Sequence, residues 1–138
     1  MNEIYIIDTN VLMRYLLKDD DEQFLIAKSY LINTNIQLYL PIQTICEMVW
    51  ILKKKLKFPN HYISQILEGI LSQSNIDFDT IIVNFALPFL KENGDFADGV
   101  IAYHTQAFGN ASLLTFDKKL QKICTYFKIS HIPLKKEQ

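Results

Sequence analysis

The sequence predicts an α/β domain with a mostly parallel sheet, on three observations. Short apolar runs rich in β-branched residues occur at 4–7, 36–40, 112–115 and 129–132. Stretches with helical spacing of apolar residues lie between them, the alternation expected of β-α-β units. No repeat, low-complexity segment or Pro/Gly/Ser linker interrupts the pattern, so the 138 residues are expected to form one domain with its own core.

The first element is Ile4-Tyr5-Ile6-Ile7, read as a strand buried on both faces. Asp8 ends it, and Val11-Leu12-Met13-Arg14-Tyr15-Leu16-Leu17 continues with helical spacing. A carboxylate therefore stands where a core strand hands over to a helix, the edge at which parallel sheets bind ligands. One such acid alone is by default a helix cap. Asp19-Asp20-Asp21-Glu22 precedes the next helix, 24–32, and favours its N-terminus through the dipole.

After the turn Asn33-Thr34-Asn35 and the strand at 36–40, a long helix is expected from Pro41 or Ile42 through Ile45, Val49, Trp50 and Leu52 to Lys57. It contains one carboxylate, Glu47. Thr44-x-x-Glu47 matches a capping box, yet the apolar periodicity begins before Thr44, and the two readings of Glu47 stay open. Phe58-Pro59-Asn60 breaks the helix, and 61–71 forms another. A short strand at 76–78 precedes a helix capped by Asp79, which Pro88 should kink or end. Asp95-Phe96-Ala97-Asp98-Gly99 opens the next helix. Asp95 and Asp98 are three apart and can face one way, and Gly99 permits close approach beside them. The strand at 112–115 ends at Phe116-Asp117, followed by a helix over 118–123, a closing strand at 129–132 and a frayed tail.

The totals narrow the class. A net charge of −1 gives no global basic field, so a nucleic-acid reading needs a local patch. Cys46 and Cys124 lack metal-ligand spacing and read as buried thiols in a reducing cytoplasm. No run approaches the roughly 18 apolar residues of a membrane span, and the Met1-Asn2-Glu3 start lacks a signal peptide's positive region.

Asp8 and Asp117 each directly follow a strand and should project from one sheet edge, Glu47 lies within reach of it, and Asp98 opens the helix leading back to it. Carboxylates on one rim repel and push each other toward the neutral form; a cation removes the conflict. Hard oxygen donors without Cys or His point to Mg²⁺ or Mn²⁺ rather than zinc, ions suited to phosphoryl transfer.

Ile-Ile-Asp8-Thr9-Asn10-Val-Leu, Glu47 in an apolar helix, Asp95-Phe96-Ala97-Asp98-Gly99-Val-Ile-Ala and Leu-Leu-Thr115-Phe116-Asp117 resemble, in order and distance, the PIN domain. The resemblance covers about residues 3–132 and is nearest the VapC-type toxin ribonucleases of toxin–antitoxin pairs. It implies a three-layer α/β/α fold with a five-stranded parallel sheet, and Mg²⁺-dependent cleavage of RNA. Asp8, Glu47, Asp98 and Asp117 match the acidic set, with Asp8, Asp98 and Asp117 as metal ligands and Asp95 a further acidic position. Thr9, Asn10 and Thr115 match the polar supports. Gly99 stands where the family often has Ala, a difference expected to cost helix propensity only. A homodimer and a cognate antitoxin are implied by the resemblance alone.

Lys53, Lys54, Lys55 and Lys57 form a basic strip, and Arg14, Lys118 and Lys119 lie nearer the expected rim; RNA contact is assigned among these cations. His61, His104 and His131 match no acidic position, and Trp50 is placed in the core by its spacing. Two other readings are a PIN nuclease of general RNA processing or of DNA, and a non-catalytic PIN-like interaction module.

Overall fold

The computed structural model describes residues 3–136. Met1 and Asn2, part of the start read as lacking a signal peptide, and Glu137 and Gln138 of the expected tail lie outside them. Two compact units make up the chain, one ending at Asp79 and the other beginning at Thr80.

The first unit follows the order β1 (Ile4–Ile6), α1 (Thr9–Leu17), α2 (Asp21–Leu31), β2 (Gln37–Tyr39), α3 (Ile42–Trp50), a π-helical turn (Ile51–Lys55), α4 (Asn60–Leu71) and β3 (Ile76–Asp77). Its ladder runs β1-β2-β3, all parallel, with Tyr5 opposite Leu38 and Leu38 opposite Ile76. Leu12, Leu31, Leu40, Ile45, Met48, Leu52, Ile63 and Leu67 are buried at 0–2% exposure and form its core. Asp20 caps α2, accepting from the Gln23 N–H at 3.0 Å, as the acidic run predicts.

Four expectations fail here. β1 is not buried on both faces: Ile4 and Ile6 are 61% and 63% exposed, while Ile7 at its end is buried. β1 ends its ladder and pairs with β2 alone among the described strands, and Tyr5 between the two isoleucines is exposed as well. The helix expected to reach Lys57 is not a single α-helix. Past Trp50 it widens, the Leu56 N–H reaching Ile51 O and the Phe58 N–H reaching Leu52 O, and Lys57 at φ 61° then turns the chain out. Trp50 is not core but 50% exposed, because the apolar face of α3 is carried inward by Ile45, Met48, Val49 and Leu52. Cys46 is half-buried, where full burial is expected.

The second unit comprises α5 (Thr80–Lys91), α6 (Phe96–Phe108), β4 (Leu113–Thr115), α7 (Lys118–Phe127) and β5 (His131–Pro133). β4 and β5 pair in parallel, Leu114 opposite Ile132, so the five described strands lie in ladders of three and two. Its core gathers Phe89, Ala102, Leu120, Ile123, Cys124 and Ile129, with Phe89 stacked on Phe127 at 5.0 Å.

Pro88 does not end α5: the helix runs through it to Lys91, and the Glu92 N–H still reaches Pro88 O at 2.9 Å. Packing of Phe89 and Leu90 into the core outweighs the one hydrogen bond that proline removes. The reading of Gly99 also needs correction. A Cβ there would stand 2.8 Å from Ala86 Cα and 2.9 Å from its carbonyl oxygen, so α5 and α6 touch backbone to backbone at this glycine. An alanine would force them apart, a far greater effect than propensity. Among the described residues no helix is long and apolar enough to cross a membrane.

Candidate active site

In the first unit the chain leaves β1 at Ile7 and enters α1 through Asp8, whose backbone is extended (φ −79°, ψ 154°). Asp8 occupies the cap position, and its carbonyl accepts from the Leu12 N–H, but its side chain makes no cap hydrogen bond. The carboxylate is exposed. Capping, the default role for an acid at a strand-to-helix junction, is therefore not what this side chain does.

The neighbouring Thr9 is buried and donates from Oγ1 to Glu47 Oε2 at 2.5 Å. Gln43 donates from Nε2 to the other oxygen, Oε1, at 3.2 Å. Glu47 is an exposed group in α3, a helix that starts at Ile42 after Pro41. It sits beyond the first turn, and Thr44 is turned away: its hydroxyl donates to Ile7 O at 3.0 Å. The capping-box reading falls with that bond. Thr44 instead stitches α3 to the end of β1, and Thr9 ties Glu47 to the residue after Asp8. The hydrogen bond from Thr9, and then that from Gln43, hold the Glu47 carboxyl below its ordinary range against a smaller opposing effect of desolvation.

Gln43 and Thr44 are supports that the sequence reading missed. Gln43 stands four residues before Glu47, a spacing that places both on one helix face and could have revealed it. Nothing in the sequence marks the partner of Thr44. Asn10 lines a groove of about 550 Å³ formed with β1 and α2, beside Ile6, Val11 and Tyr30. Arg14 is held locally, its Nε donating to Gln23 Oε1 at 2.7 Å and its Nη1 paired with Asp19 at 3.2 Å.

In the second unit Asp95 does cap α6, accepting from the Ala97 N–H at 3.1 Å, and Asp98 lies in the first turn, half-buried. Burial, and after it the charge of Asp98, push the Cys124 thiol upward. Asp117 caps α7 through Oδ1, which accepts from the N–H groups of Lys119 at 2.9 Å and Leu120 at 3.2 Å. Thr115 completes this turn by accepting from the Asp117 N–H at 3.0 Å. Lys118 and Lys119 are exposed in the first turn of α7, and Lys54 is exposed in the π turn where Lys53 is half-buried.

The structure thus joins Thr9 to Glu47 beside Asp8 in one unit, and Thr115 to Asp117 in the other. Among the described residues no three His, Cys, Asp or Glu side chains stand together as a metal site. The donors within each unit are nevertheless of the kind a hard divalent cation takes, carboxylates and hydroxyls: in the first Asp8 is not engaged in capping, and in the second Asp117 caps through one oxygen only.

No curated protein matches the sequence significantly. The family profile of the PIN domain matches residues 5–126. PIN domains are typically metal-dependent nucleases, using Mg²⁺ or Mn²⁺ as a rule. Their α/β/α fold class agrees with the parallel ladders and the helices between them. By that match over most of its length, the chain belongs to the PIN domain family.

Proposed function

We propose that the chain, as a single nuclease domain, is a Mg²⁺-dependent endoribonuclease that hydrolyses RNA phosphodiester bonds and serves as the toxin of a toxin–antitoxin pair. Asp8, Glu47, Asp98 and Asp117 are its catalytic acids. The observation that carries the reading is Glu47: an exposed carboxylate outside any cap, its two oxygens held in place by Thr9 and Gln43 beside an Asp8 that does not cap.

Asp8, Asp98 and Asp117 would hold the ion, with Asp95 as a further acidic neighbour. When bound, such an ion neutralises charge on the phosphodiester and makes water a better nucleophile. The residues supply the rest. Thr9 fixes one Glu47 oxygen and lowers the pKa of the group, and Glu47 accepts a hydrogen bond from the attacking water and orients it. Thr115 and the α7 amides fix Asp117. In-line attack on a phosphodiester depends on positioning and charge stabilisation more than on a side-chain nucleophile, and the set contains no Ser or Cys.

Lys53, Lys54, Lys118 and Lys119 are assigned to RNA. Arg14 is the weakest of the proposed contacts, since Asp19 already neutralises it. A homodimer, a cognate antitoxin and a cytoplasmic site of action belong to the same proposal, supported by the VapC-like order of motifs. The test incubates purified protein with structured RNA and with DNA of the same sequence, in Mg²⁺ and in EDTA. Internal cuts in RNA that need Mg²⁺ support the proposal. Cuts in DNA alone, or cuts that EDTA leaves intact, contradict it.

A further inference from the structure

The chain carries 14 basic and 15 acidic residues, yet residues 48–67 hold four lysines and no acid. That segment is the end of α3, the π turn and the start of α4. Lys54, Lys55, Lys57 and His61 are exposed there, and so is Trp50, the one tryptophan of the sequence. The Lys55 ammonium lies 5.5 Å from the centre of the Trp50 ring. Lys54 is exposed in the same π turn and Lys57 just after it. Just beyond, Phe58 meets Tyr62 edge-on at 5.2 Å, leaving Tyr62 46% exposed.

An exposed aromatic ring in a lysine-rich segment is the combination that binds single-stranded nucleic acid, because any base offers a face for stacking and each linkage a negative charge. Trp50 also lies three residues after Glu47, on the same face of α3 and about 4.5 Å farther along the axis.

We infer that Trp50, with Lys54, Lys55 and Lys57, forms a stacking platform for single-stranded RNA next to Glu47. The inference rests on the ribonuclease reading and adds a substrate form to it: an unpaired base stacks on the indole, and the lysines take the flanking phosphates. Lys55 holds the ring in the empty protein and can pass to a phosphate when a nucleotide arrives. A duplex, whose bases are already stacked, cannot use the platform.

The single tryptophan makes this measurable by fluorescence. Wild-type protein in EDTA, which leaves RNA uncut, is titrated with an oligouridylate and with a duplex RNA of equal phosphate content. The expected result is quenching by the oligouridylate, with affinity falling as salt rises, and little quenching by the duplex. By direct binding assay, Trp50→Ala should weaken the oligouridylate roughly tenfold, with Trp50→Phe recovering much of the loss. Lys54→Glu with Lys57→Glu, surface changes that leave the ring in place, should weaken it severalfold and flatten the salt dependence. An unquenched tryptophan with unchanged affinity in Trp50→Ala overturns the inference. So does a Trp50→Ala protein that loses only a self-association seen by sedimentation, which assigns the ring to a second copy of the chain. The two readings fail separately. If the nuclease reading is wrong, wild-type protein cuts no RNA in Mg²⁺ while quenching persists; if the platform is wrong, cutting persists without quenching.

Discussion

Acids stand at helix starts in both units, but they are used differently. Asp117 and Asp95 each give an oxygen to backbone N–H groups at the start of a helix. Asp8 holds the same kind of junction and makes no cap bond, and Glu47 sits mid-helix with its oxygens held by two side chains. On the proposed function, Asp117 would serve helix and site together, so its loss should cost both stability and cleavage. In the first unit they can be separated. A cap-like position in the sequence therefore does not reveal whether the side chain caps.

The sharpest break of this comparison is a pair of substitutions. Asp8→Asn should lower Mg²⁺-dependent cleavage about a hundredfold or more, in the range of lost electrostatic stabilisers, with melting almost unchanged. Asp117→Ala should lower cleavage as well and cost about 1 kcal/mol of stability through the lost cap. Asp117→Ser should restore the melting temperature, since serine caps well, without restoring cleavage. Equal destabilisation by Asp8→Asn and Asp117→Ala in thermal melts would erase the distinction between the units.

Gly99→Ala comes next. With Ala86 backbone 2.8 Å from the new Cβ, α5 and α6 must separate, and overpacking of this kind costs about 1–3 kcal/mol. A denaturant titration in which Gly99→Ala matches wild type would show that the helices have room to spare. The same substitution should leave the Trp50 fluorescence of the first unit unaltered at low denaturant.

A smaller and more specific effect concerns pH. The Glu47 pKa is lowered in the folded protein, chiefly by Thr9, so its contribution to stability is present above the unfolded carboxyl pKa and lost as pH falls through the folded one. Thr9→Val removes the main cause, and the Glu47 pKa must rise. The acid limb of the cleavage profile should then move to higher pH, with the alkaline side unaffected. An unmoved acid limb in Thr9→Val would detach Glu47 from the rate. The smallest effect is Asp19→Ala, which breaks an exposed pair with Arg14 and should alter stability by under about 1 kcal/mol; a larger loss in melting would show that the pair braces α1 against α2.

What the sequence made legible follows from how local each feature is. Strand-to-helix junctions at Asp8 and Asp117, the Asp95 cap and the cap of α2 depend on a few neighbouring residues, and the residue types reveal them. Glu47 was ambiguous because Thr44 and Glu47 carry a capping pattern while the helix already starts at Ile42; a tertiary bond from Thr44 to Ile7 O decides between the two. Trp50 and β1 depart from the sequence expectation for one reason. Hydrophobic spacing predicts which face could be buried, but an edge strand and the outer side of a helix stay open when no neighbour arrives to cover them. Pro88 shows the converse, packing that overrides a strong local signal. The Ala86–Gly99 contact joins residues 13 apart in sequence, and a glycine alone does not announce its partner.

The most direct measurement of the central claim is cleavage of structured RNA by wild type and Asp8→Asn, side by side in Mg²⁺ and in EDTA, with circular dichroism on both proteins. The account predicts Mg²⁺-dependent internal cuts by wild type, none in EDTA, and almost none from an Asp8→Asn protein folded like wild type. Undiminished cutting by that folded variant would contradict it, since a carboxylate that neither caps nor serves the reaction would then have no part in the nuclease at all.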